Sequence, residues 1–271
     1  MRAELDRLRQ AGKSVGVVPT MGYLHEGHLA LCRQSVCDND VTVATIFVNP
    51  AQFGPNMDLE RYPRDEAGDL AKLDREHVTH AFIPDDGQMY PEGYSTWIDV
   101  ETLSELLDGA SRPGYFRGIA TIVLKLFNIV RPDRAYFGEK DIQQGLIVGK
   151  MIEDLNLGIE LKLHPTVREP DGLAMSSRNA YLSPEDRAIA PELFHALSIA
   201  RELFAGGERS AEKLVEAVGK HLSAFPSFDI DYVEVTEMRT VQRLESVEPP
   251  AILALAVDLH GTRLIDNVIL R

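Results

Sequence analysis

Short apolar runs alternate with segments of helical apolar spacing along the first part of the chain. The apolar runs predict strands at residues 14–18, 41–48, 79–83, 134–137 and 159–163. The segments with helical spacing predict helices at residues 4–11, 29–36, 65–76, 119–130 and 141–153. Strands that alternate with helices indicate an α/β fold with a parallel sheet, and ligands of such folds bind beyond the carboxyl ends of the strands.

The pattern changes towards the carboxyl end of the chain. Ser183 followed by Pro184 is typical of a helix start, with serine as the N-cap and proline at the first helical position. We predict that this helix runs to about Phe204. A second helix and three strands are predicted at 210–223, 229–236, 251–258 and 263–270. These elements form a smaller α+β unit, and we expect the boundary between the two units within 166–182.

The composition is that of an ordinary globular protein. Of the 271 residues, 44% are hydrophobic and 26% are charged. With 28 basic and 42 acidic residues the net charge is -14, which disfavours nucleic acid and anionic membranes as partners. No apolar run reaches the length of a membrane span, and Cys32 and Cys37 show no disulfide or zinc spacing. We therefore expect a soluble, cytoplasmic protein.

The first predicted strand runs into its helix through a turn that contains glycine and histidine, Pro19-Thr20-Met21-Gly22-Tyr23-Leu24-His25-Glu26-Gly27-His28. The free N–H groups and the dipole of a helix start attract anions. His25 and His28 lie on one face of the first helical turn and are able to donate to phosphate oxygens. For the bare spacing the alternatives are a metal pair and two surface histidines. The glycines and the preceding strand disfavour both, and no nearby cluster supplies the third ligand that a metal site needs. We predict a nucleotide site.

Three further segments carry candidate polar groups, each with a structural alternative. Asn49 and Gln52 follow the second strand and suit hydrogen bonding to an uncharged polar group, although a plain turn explains them equally well. Lys140 and Asp141 follow another strand, where Lys140 suits phosphates and Asp141 suits a cap, a ribose or magnesium. Ordinary helix capping is the alternative. Met175-Ser-Ser-Arg-Asn179 suits a mobile loop that clamps a triphosphate, or a polar turn.

Taken together, these segments resemble the pantothenate synthetase (pantoate–β-alanine ligase) family, within the wider class of HxGH nucleotidyltransferases. The matching segments are PTMGYLHEGH at 19–28, IFVNPAQFG at 46–54, YPRD at 62–65, FRGIATIVLKLFNIVRPDRAYFGEKDIQQ at 116–144 and PTVREPDGLAMSSRN at 165–179. They occur in the family's order and at its spacing and cover most of 14–182. The carboxyl-terminal region is similar mainly in pattern.

The resemblance implies an ATP-dependent ligation in two steps. Pantoate attacks MgATP to give pantoyl adenylate and pyrophosphate, and β-alanine then displaces AMP to give pantothenate. The implied catalytic residues, which stabilise charge on the phosphate oxygens, are His28, His25, Lys140 and Arg178. The implied ATP contacts are Pro19, Thr20, Met21, Gly22, Tyr23, Leu24, His25, Glu26, Gly27, His28, Gly138, Glu139, Lys140, Asp141, Val167, Met175, Ser176, Ser177 and Arg178. The implied pantoate ligands are Gln52 and Gln144, and the implied metal ligand is Asp69.

The resemblance also implies an organisation and an assembly. We expect a Rossmann-like nucleotide- and pantoate-binding domain over 1–167, an α+β lid domain over 168–271, and a homodimer. Two departures from the family pattern are a shorter segment ahead of the first motif, which we expect to affect edge packing only, and Met57 in the loop after Gly54, which we expect to alter that loop's contacts. The alternatives are a cytidylyltransferase-like enzyme, which has no need of paired glutamines, and a non-catalytic ATP-binding module.

Overall fold

The structure is a computed structural model of the chain, and it describes residues 1–54 and 58–271. The strands are β1 (Val15–Thr20), β2 (Val41–Ile46), β3 (His80–Phe82), β4 (Arg134–Gly138), β5 (Glu160–His164), β6 (Phe228–Glu237), β7 (Ala251–Leu259) and β8 (Thr262–Leu270). The helices are α1 (Arg2–Gln10), α2 (Glu26–Asp38), α3 (Glu66–Arg75), α4 (Asp86–Met89), α5 (Asp108–Ser111), α6 (Tyr115–Val130), α7 (Ile142–Asp154), α8 (Pro184–Ile189), α9 (Glu192–Ala205) and α10 (Ala211–Leu222). Met57 lies outside the described residues, so the expectation about it stays a prediction.

The chain divides into two units. The first contains Met1–Ser104 and Arg112–Pro165, and the second contains Glu105–Ser111 and Thr166–Arg271. The second unit thus includes a short segment that the sequence places inside the first. The division of roles between a substrate domain and a lid stays a prediction.

The first unit is built on a parallel sheet with the strand order β3-β2-β1-β4-β5. Every residue of β2 is buried, and the same holds for β1 except at Pro19. These strands carry apolar, β-branched sequences because helices cover both faces of such a sheet. The edge strands β3 and β5 are only partly buried. The predicted parallel α/β fold is confirmed.

The order of the strands identifies the edge where a ligand binds. From β1 the chain proceeds outward to β2 and β3, and it then returns to place β4 against the other side of β1. This reversal makes β1 and β4 the topological switch point, where the loops after the two strands diverge and leave a crevice. The turn with the two histidines follows β1, and Lys140 follows β4.

The second unit contains an antiparallel sheet with the order β6-β7-β8. The central strand β7 is buried at eight of its nine positions, and the exception is Asp258. Helices α9 and α10 contribute Leu197, Leu214 and Val218 to the same apolar core as β7. The predicted carboxyl-terminal α+β unit is therefore confirmed.

Two predicted helix boundaries are wrong. The helix predicted from Ser183 to Phe204 is two helices, α8 and α9, with Pro191 between them. Proline has no N–H to donate to the carbonyl four residues earlier, which interrupts the helical ladder. Helix α6 starts at Tyr115 and not at 119, after Gly114 with a φ of 82°. Gly114, in the left-handed conformation that glycine adopts readily, is the N-cap of this helix.

Candidate active site

The turn between β1 and α2 is fixed by its own hydroxyl groups and by a glycine. The Thr20 hydroxyl donates to the Thr45 carbonyl of β2 at 2.6 Å, and the Gly22 N–H donates back to Thr20 Oγ1 at 3.1 Å. Gly22 has a φ of 78°, and a β-carbon on it would come 2.9 Å from the Ile46 side chain. Glycine alone meets both demands, so the backbone here approaches β2 closely.

Helix α3 holds the same turn from the other side through Asp69. Its two carboxylate oxygens accept the backbone N–H groups of Tyr23 and Leu24, each at 2.7 Å. One helical turn further, Lys72 Nζ donates to the Leu24 carbonyl at 2.7 Å. Tyr23 has a φ of 50°, an unfavourable conformation for a tyrosine that these bonds maintain. This anchor is not evident from the sequence, because an acid and a lysine three residues apart are common on exposed helices.

His25 and His28 form a stacked pair at the start of α2. Their ring centroids lie 4.0 Å apart with an interplanar angle of 29°. His28 Nδ1 accepts the backbone N–H of His25 at 3.4 Å. An accepting Nδ1 carries no proton, so in the neutral ring of His28 the hydrogen is on Nε2. His28 therefore presents an N–H donor at Nε2.

Both rings are neutral near pH 7. Burial, with smaller contributions from the Lys140 and Lys72 cations, lowers the pKa of His28 to about 4. Burial also lowers the pKa of His25 to about 2, with contributions from His28 and from Lys140. These influences require Lys140 to lie near both rings, so the segments after β1 and β4 converge as the strand order predicts. The pair can donate hydrogen bonds to an anion without carrying charge.

The segment after β4 carries the other predicted ATP contacts of the first unit. Lys140 Nζ lies 3.5 Å from the Asp141 carboxylate, and the Lys140 side chain is largely buried. Asp141 precedes α7, but its side chain makes no cap hydrogen bond. Ordinary capping, the structural alternative, therefore does not account for this aspartate. Gln144 lies in the first turn of α7 and is partly buried.

Gln52, after β2, lies against the turn between β1 and α2. It is 7% exposed, and its Nε2 is 3.2 Å from the Met21 sulfur. Asn49 donates to Gln52 Oε1 at 3.0 Å and also to the Gly118 carbonyl at 3.2 Å. The close approach of α6 depends on Gly118, because a β-carbon there would come 2.6 Å from the Ala51 carbonyl carbon. The amide of Asn49 is thus engaged within the protein, and Gln52 remains the candidate ligand.

A cleft of about 430 Å³ adjoins the same turn and differs in charge from the histidine pair. Its lining includes the segment Met21–Tyr23 and the end of β2. The charged residues that line it are Glu60, Arg64, Asp65, Glu66, Asp69 and Asp86. Five carboxylates beside one guanidinium disfavour a triphosphate. The cationic environment of Lys140 and Lys72 is the better match for phosphates.

The remaining predicted ATP contacts belong to the second unit, where a hairpin carries them. The Met175 N–H donates to the Val167 carbonyl at 3.0 Å, and Ser176 caps the following turn by accepting the Arg178 N–H at 3.3 Å. Ser177 is 7% exposed. Ser176 thus has a capping role, which the sequence alternative of a polar turn also predicts.

Arg168 fixes this hairpin to the sheet of the second unit. Its guanidinium makes a bidentate pair with Asp266 of β8 at 2.6 and 2.9 Å and also donates to the Gly172 carbonyl at 3.1 Å. The guanidinium also stacks on the Phe194 ring, with Arg168 Cζ 3.8 Å from the ring centroid. Asp266 is 3% exposed, so the pair is well shielded from water. Arg168 was not a candidate in the sequence analysis, because its partner lies 98 residues away.

A resident metal ion has little support in the described residues. Among residues 1–54 and 58–271, no three His, Cys, Asp or Glu side chains are grouped so as to hold an ion. Asp69, the predicted ligand, already accepts two backbone N–H groups and is 1% exposed. Mg²⁺ usually binds through one or two carboxylates together with substrate phosphates. The site thus fits an ion that arrives with a nucleotide, and the metal role of Asp69 stays a prediction.

A parallel sheet with the histidine turn at its switch point defines a Rossmann-like α/β fold, in which ligands bind at that turn. Comparisons with known proteins identify the family. The model of the pantoate-beta-alanine ligase family matches residues 1–269. Among curated relatives, pantothenate synthetase from Thermotoga petrophila is 52% identical over 270 residues, covering 100% of this chain and 96% of the relative. The corresponding protein from Moorella thermoacetica is 53% identical and covers 97% and 93%. The chain belongs to the pantoate–β-alanine ligase family.

Solved structures agree with this assignment. Pantothenate synthetase from Thermus thermophilus superposes with a TM-score of 0.93 at 47% identity, covering 97% of this chain and 96% of the other. Pantoate-beta-alanine ligase from Francisella tularensis, complexed with beta-gamma ATP and beta-alanine, gives a TM-score of 0.79 at 31% identity, covering 98% and 95%. The resemblance noted in the sequence, the fold class and the assignment as a ligase of this family are confirmed. In the described residues, no helix has the length and apolar character needed to cross a membrane.

Proposed function

We propose that the chain joins (R)-pantoate to β-alanine with consumption of ATP, through a pantoyl-adenylate intermediate, with release of pyrophosphate and AMP. The observation that carries the proposal is the neutral, stacked His25–His28 pair beside Lys140 at the switch point of the sheet. The F. tularensis relative, which was solved with a nucleotide and β-alanine, supports ATP as a substrate.

In the first step, a carboxylate oxygen of pantoate attacks the α-phosphorus of ATP. The bond from that phosphorus to the bridging oxygen breaks, and pyrophosphate leaves with the electron pair. Negative charge grows on the phosphate oxygens during this step. The Nε2–H of His28, with His25 and the ammonium of Lys140, stabilises that charge by hydrogen bonding and attraction rather than by proton transfer. A neutral imidazole suits this role because it need not lose its proton.

Gln52 and Gln144 bind pantoate in this proposal. Gln52 lies against Met21 of the histidine turn, which brings a substrate held by its amide close to the nucleotide. Orientation of the carboxylate towards phosphorus accounts for part of the rate enhancement. In the second step, the amine of β-alanine attacks the carbonyl carbon of the mixed anhydride, and AMP departs with the bridging oxygen.

The remaining contacts rest on the resemblance. The ATP contacts of the first unit beyond the histidine pair are the backbone of 19–24 and the segment 138–141. From the second unit, Val167 and the segment 175–178 contribute to ATP binding, with Ser176, Ser177 and Arg178 on the phosphates. A Mg²⁺ ion bound to ATP would neutralise phosphate charge, and Asp141 would hold it, with Asp69 as the further ligand that the resemblance implies. A homodimer and a cytoplasmic location are further predictions from the resemblance, and light scattering after gel filtration tests the dimer.

Isotope transfer tests the intermediate. With pantoate labelled by ¹⁸O in both carboxylate oxygens, an acyl adenylate passes one labelled oxygen to AMP when β-alanine attacks the carbonyl carbon. Mass spectrometry of the AMP should therefore show one ¹⁸O for each amide formed. Product AMP without label, or ADP and labelled phosphate in its place, would overturn the proposed route. An unlabelled-pantoate reaction in labelled water is the control for exchange with solvent.

A further inference from the structure

A chain of hydrogen bonds leads from Tyr90 to Gln52. The Tyr90 phenol oxygen, just after α4, lies 2.6 Å from Asn49 Oδ1. Asn49 is 1% exposed, and its Nδ2 lies 3.0 Å from Gln52 Oε1. Gln52 Nε2 then faces the Met21 sulfur at 3.2 Å. The chain therefore ends at the turn that carries the histidine pair.

Two backbone groups fix the direction of every bond in this chain. The Ala51 N–H, which can only donate, points to the Oδ1 end of the Asn49 amide at 3.4 Å. The Gly118 carbonyl, which can only accept, meets the Nδ2 end at 3.2 Å. With the amide turned over, N–H would face N–H and oxygen would face oxygen. Asn49 therefore has one allowed orientation, in which Tyr90 donates to it and Gln52 presents Oε1 to it.

Tyr90 is a permanent and well-placed donor. Burial raises the pKa of its phenol well above the ordinary value for tyrosine, so the hydroxyl keeps its proton over the whole physiological range. Its ring packs edge-on against the Tyr94 ring, with the centroids 5.1 Å apart, and stacks on the Trp97 ring, with the centroids 6.1 Å apart. Phe47, which directly follows β2, packs against the same ring with the ring centroids 6.4 Å apart. The ring is therefore held by packing that does not depend on the hydroxyl.

We propose that Tyr90 is a positioning residue, which acts through Asn49 to hold Gln52 with its amide N–H groups turned towards the substrate. Donors at this point select a substrate oxygen that accepts, such as a carboxylate or hydroxyl oxygen, and reject a donor group. The inference rests on the proposed role of Gln52 as a pantoate ligand. Without the hydroxyl, the long bond from Ala51 is the one that Asn49 Oδ1 keeps among residues 1–54 and 58–271, and the Gln52 amide loses its preferred orientation.

Two tyrosines of one aromatic cluster provide a matched test. Tyr90→Phe removes the hydroxyl and keeps the ring. Tyr94→Phe is the control, because in the described part of the chain the Tyr94 hydroxyl has no hydrogen-bond partner, while its ring packs against Tyr90 and Trp97. We expect Tyr90→Phe to raise the KM for pantoate about tenfold, as for the loss of one buried hydrogen bond, and to leave the KM for ATP unchanged. Tyr94→Phe should change neither, and the two variants should melt at similar temperatures.

A double variant tests the route through Gln52. On a Gln52→Ala background, Tyr90→Phe should have no further effect on the KM for pantoate, because the group it positions is absent. Equal effects in the two phenylalanine variants, an equal rise in the KM for ATP, or full additivity with Gln52→Ala would overturn the inference. If the unmodified chain ligates pantoate and the KM for pantoate is the same in Tyr90→Phe as in the unmodified chain, the positioning role of Tyr90 is wrong and the proposed function stands. If the unmodified chain does not use pantoate, the proposed function fails and this inference fails with it.

Discussion

His28 accepts the backbone N–H of His25 at Nδ1, and the two imidazole rings lie stacked with their centroids 4.0 Å apart. The bond ties the orientation of one ring to the backbone of the other. The start of α2 thus presents a rigid pair whose donors need no rearrangement when charge develops nearby. Because burial keeps both rings neutral, the pair should also affect how stability depends on pH.

The first prediction concerns that pH dependence. The folded pKa values of His25 and His28 lie below the value of about 6.5 for an unfolded chain, so the unfolded state takes up protons that the folded state does not. This contribution is complete above pH 6.5 and is lost as the pH falls towards the folded values. The free energy of unfolding should fall between pH 7.5 and pH 5, by at most about 1.4 kcal/mol per pH unit for each ring. Chemical denaturation at several pH values measures it.

A variant of His28 distinguishes the contribution of this pair to the pH dependence of stability from that of the other histidines. His28→Gln keeps a hydrogen-bonding side chain that does not titrate, so its stability should depend less steeply on pH over the same interval. The range from 7.5 to 5 avoids most of the titration of carboxylates. An identical slope in the variant and the unmodified chain would contradict a lowered pKa for His28.

The second prediction concerns Asp69. In Asp69→Asn, one oxygen that accepts a backbone N–H becomes an amide group that faces a donor at Tyr23 or Leu24. An unpaired buried N–H costs about 1–3 kcal/mol, so stability should fall by that amount. We expect kcat/KM for ATP to fall tenfold or more, because the adjoining backbone loses its fixed geometry. Asp74→Asn on the same helix is exposed and should change neither quantity.

Magnesium distinguishes the two roles considered for Asp69. If the residue anchors the turn, raising Mg²⁺ from 1 to 20 mM should not restore the activity of Asp69→Asn, and the loss of stability should appear without nucleotide. Recovery of activity at high Mg²⁺ with unchanged stability would contradict the anchor and support the metal ligand that the resemblance implies.

Gly118 supports the third prediction. A methyl group there would come 2.6 Å from the Ala51 carbonyl carbon and 2.7 Å from the backbone nitrogen of Gln52. Gly118→Ala should therefore displace the segment that carries Gln52 and raise the KM for pantoate, measured by steady-state kinetics. Gly219→Ala, in α10 with nothing within 4 Å, is the matched control and should instead stabilise the chain by about 1 kcal/mol. Unaltered pantoate kinetics in Gly118→Ala would contradict the close contact.

The fourth prediction concerns the pair of Arg168 and Asp266. Arg168→Met leaves a carboxylate that is 3% exposed without its cation, which should cost about 3–5 kcal/mol of stability. The double variant Arg168→Met/Asp266→Leu removes both charges and should be more stable than Arg168→Met alone. Thermal denaturation of the two single variants and the double variant measures the coupling. Strictly additive losses would show that the pair does not couple.

The sequence was sufficient for the parts of the fold that depend on local pattern. Buried strands such as β2 are continuous β-branched runs, and the strand order is consistent with the predicted edge for the ligand. The predicted helix boundaries are wrong where a single residue determines where a helix begins or ends. Pro191 interrupts a helix within a good apolar pattern, and Gly114 starts α6 earlier than the pattern indicates.

At the candidate site, the sequence indicated the residues able to contact a ligand but not those that hold them. The histidine turn and Lys140 carry recognisable chemistry beside a predicted strand end. The roles of Asp69 and Tyr90 depend on contacts to residues 41–46 positions away, and neither residue type nor spacing predicts such partners. Their importance becomes visible only when the hydrogen bonds are known.

The most direct test of the proposed function is release of pyrophosphate from MgATP with pantoate as the only other substrate. If the chain forms pantoyl adenylate, pyrophosphate should appear in a burst close to one equivalent per active site and should require pantoate. Addition of β-alanine should then release AMP and amide together, and His28→Ala should lower the burst rate about a hundredfold or more. Pyrophosphate release that requires β-alanine as well, or no release despite ATP binding, would contradict the adenylate route.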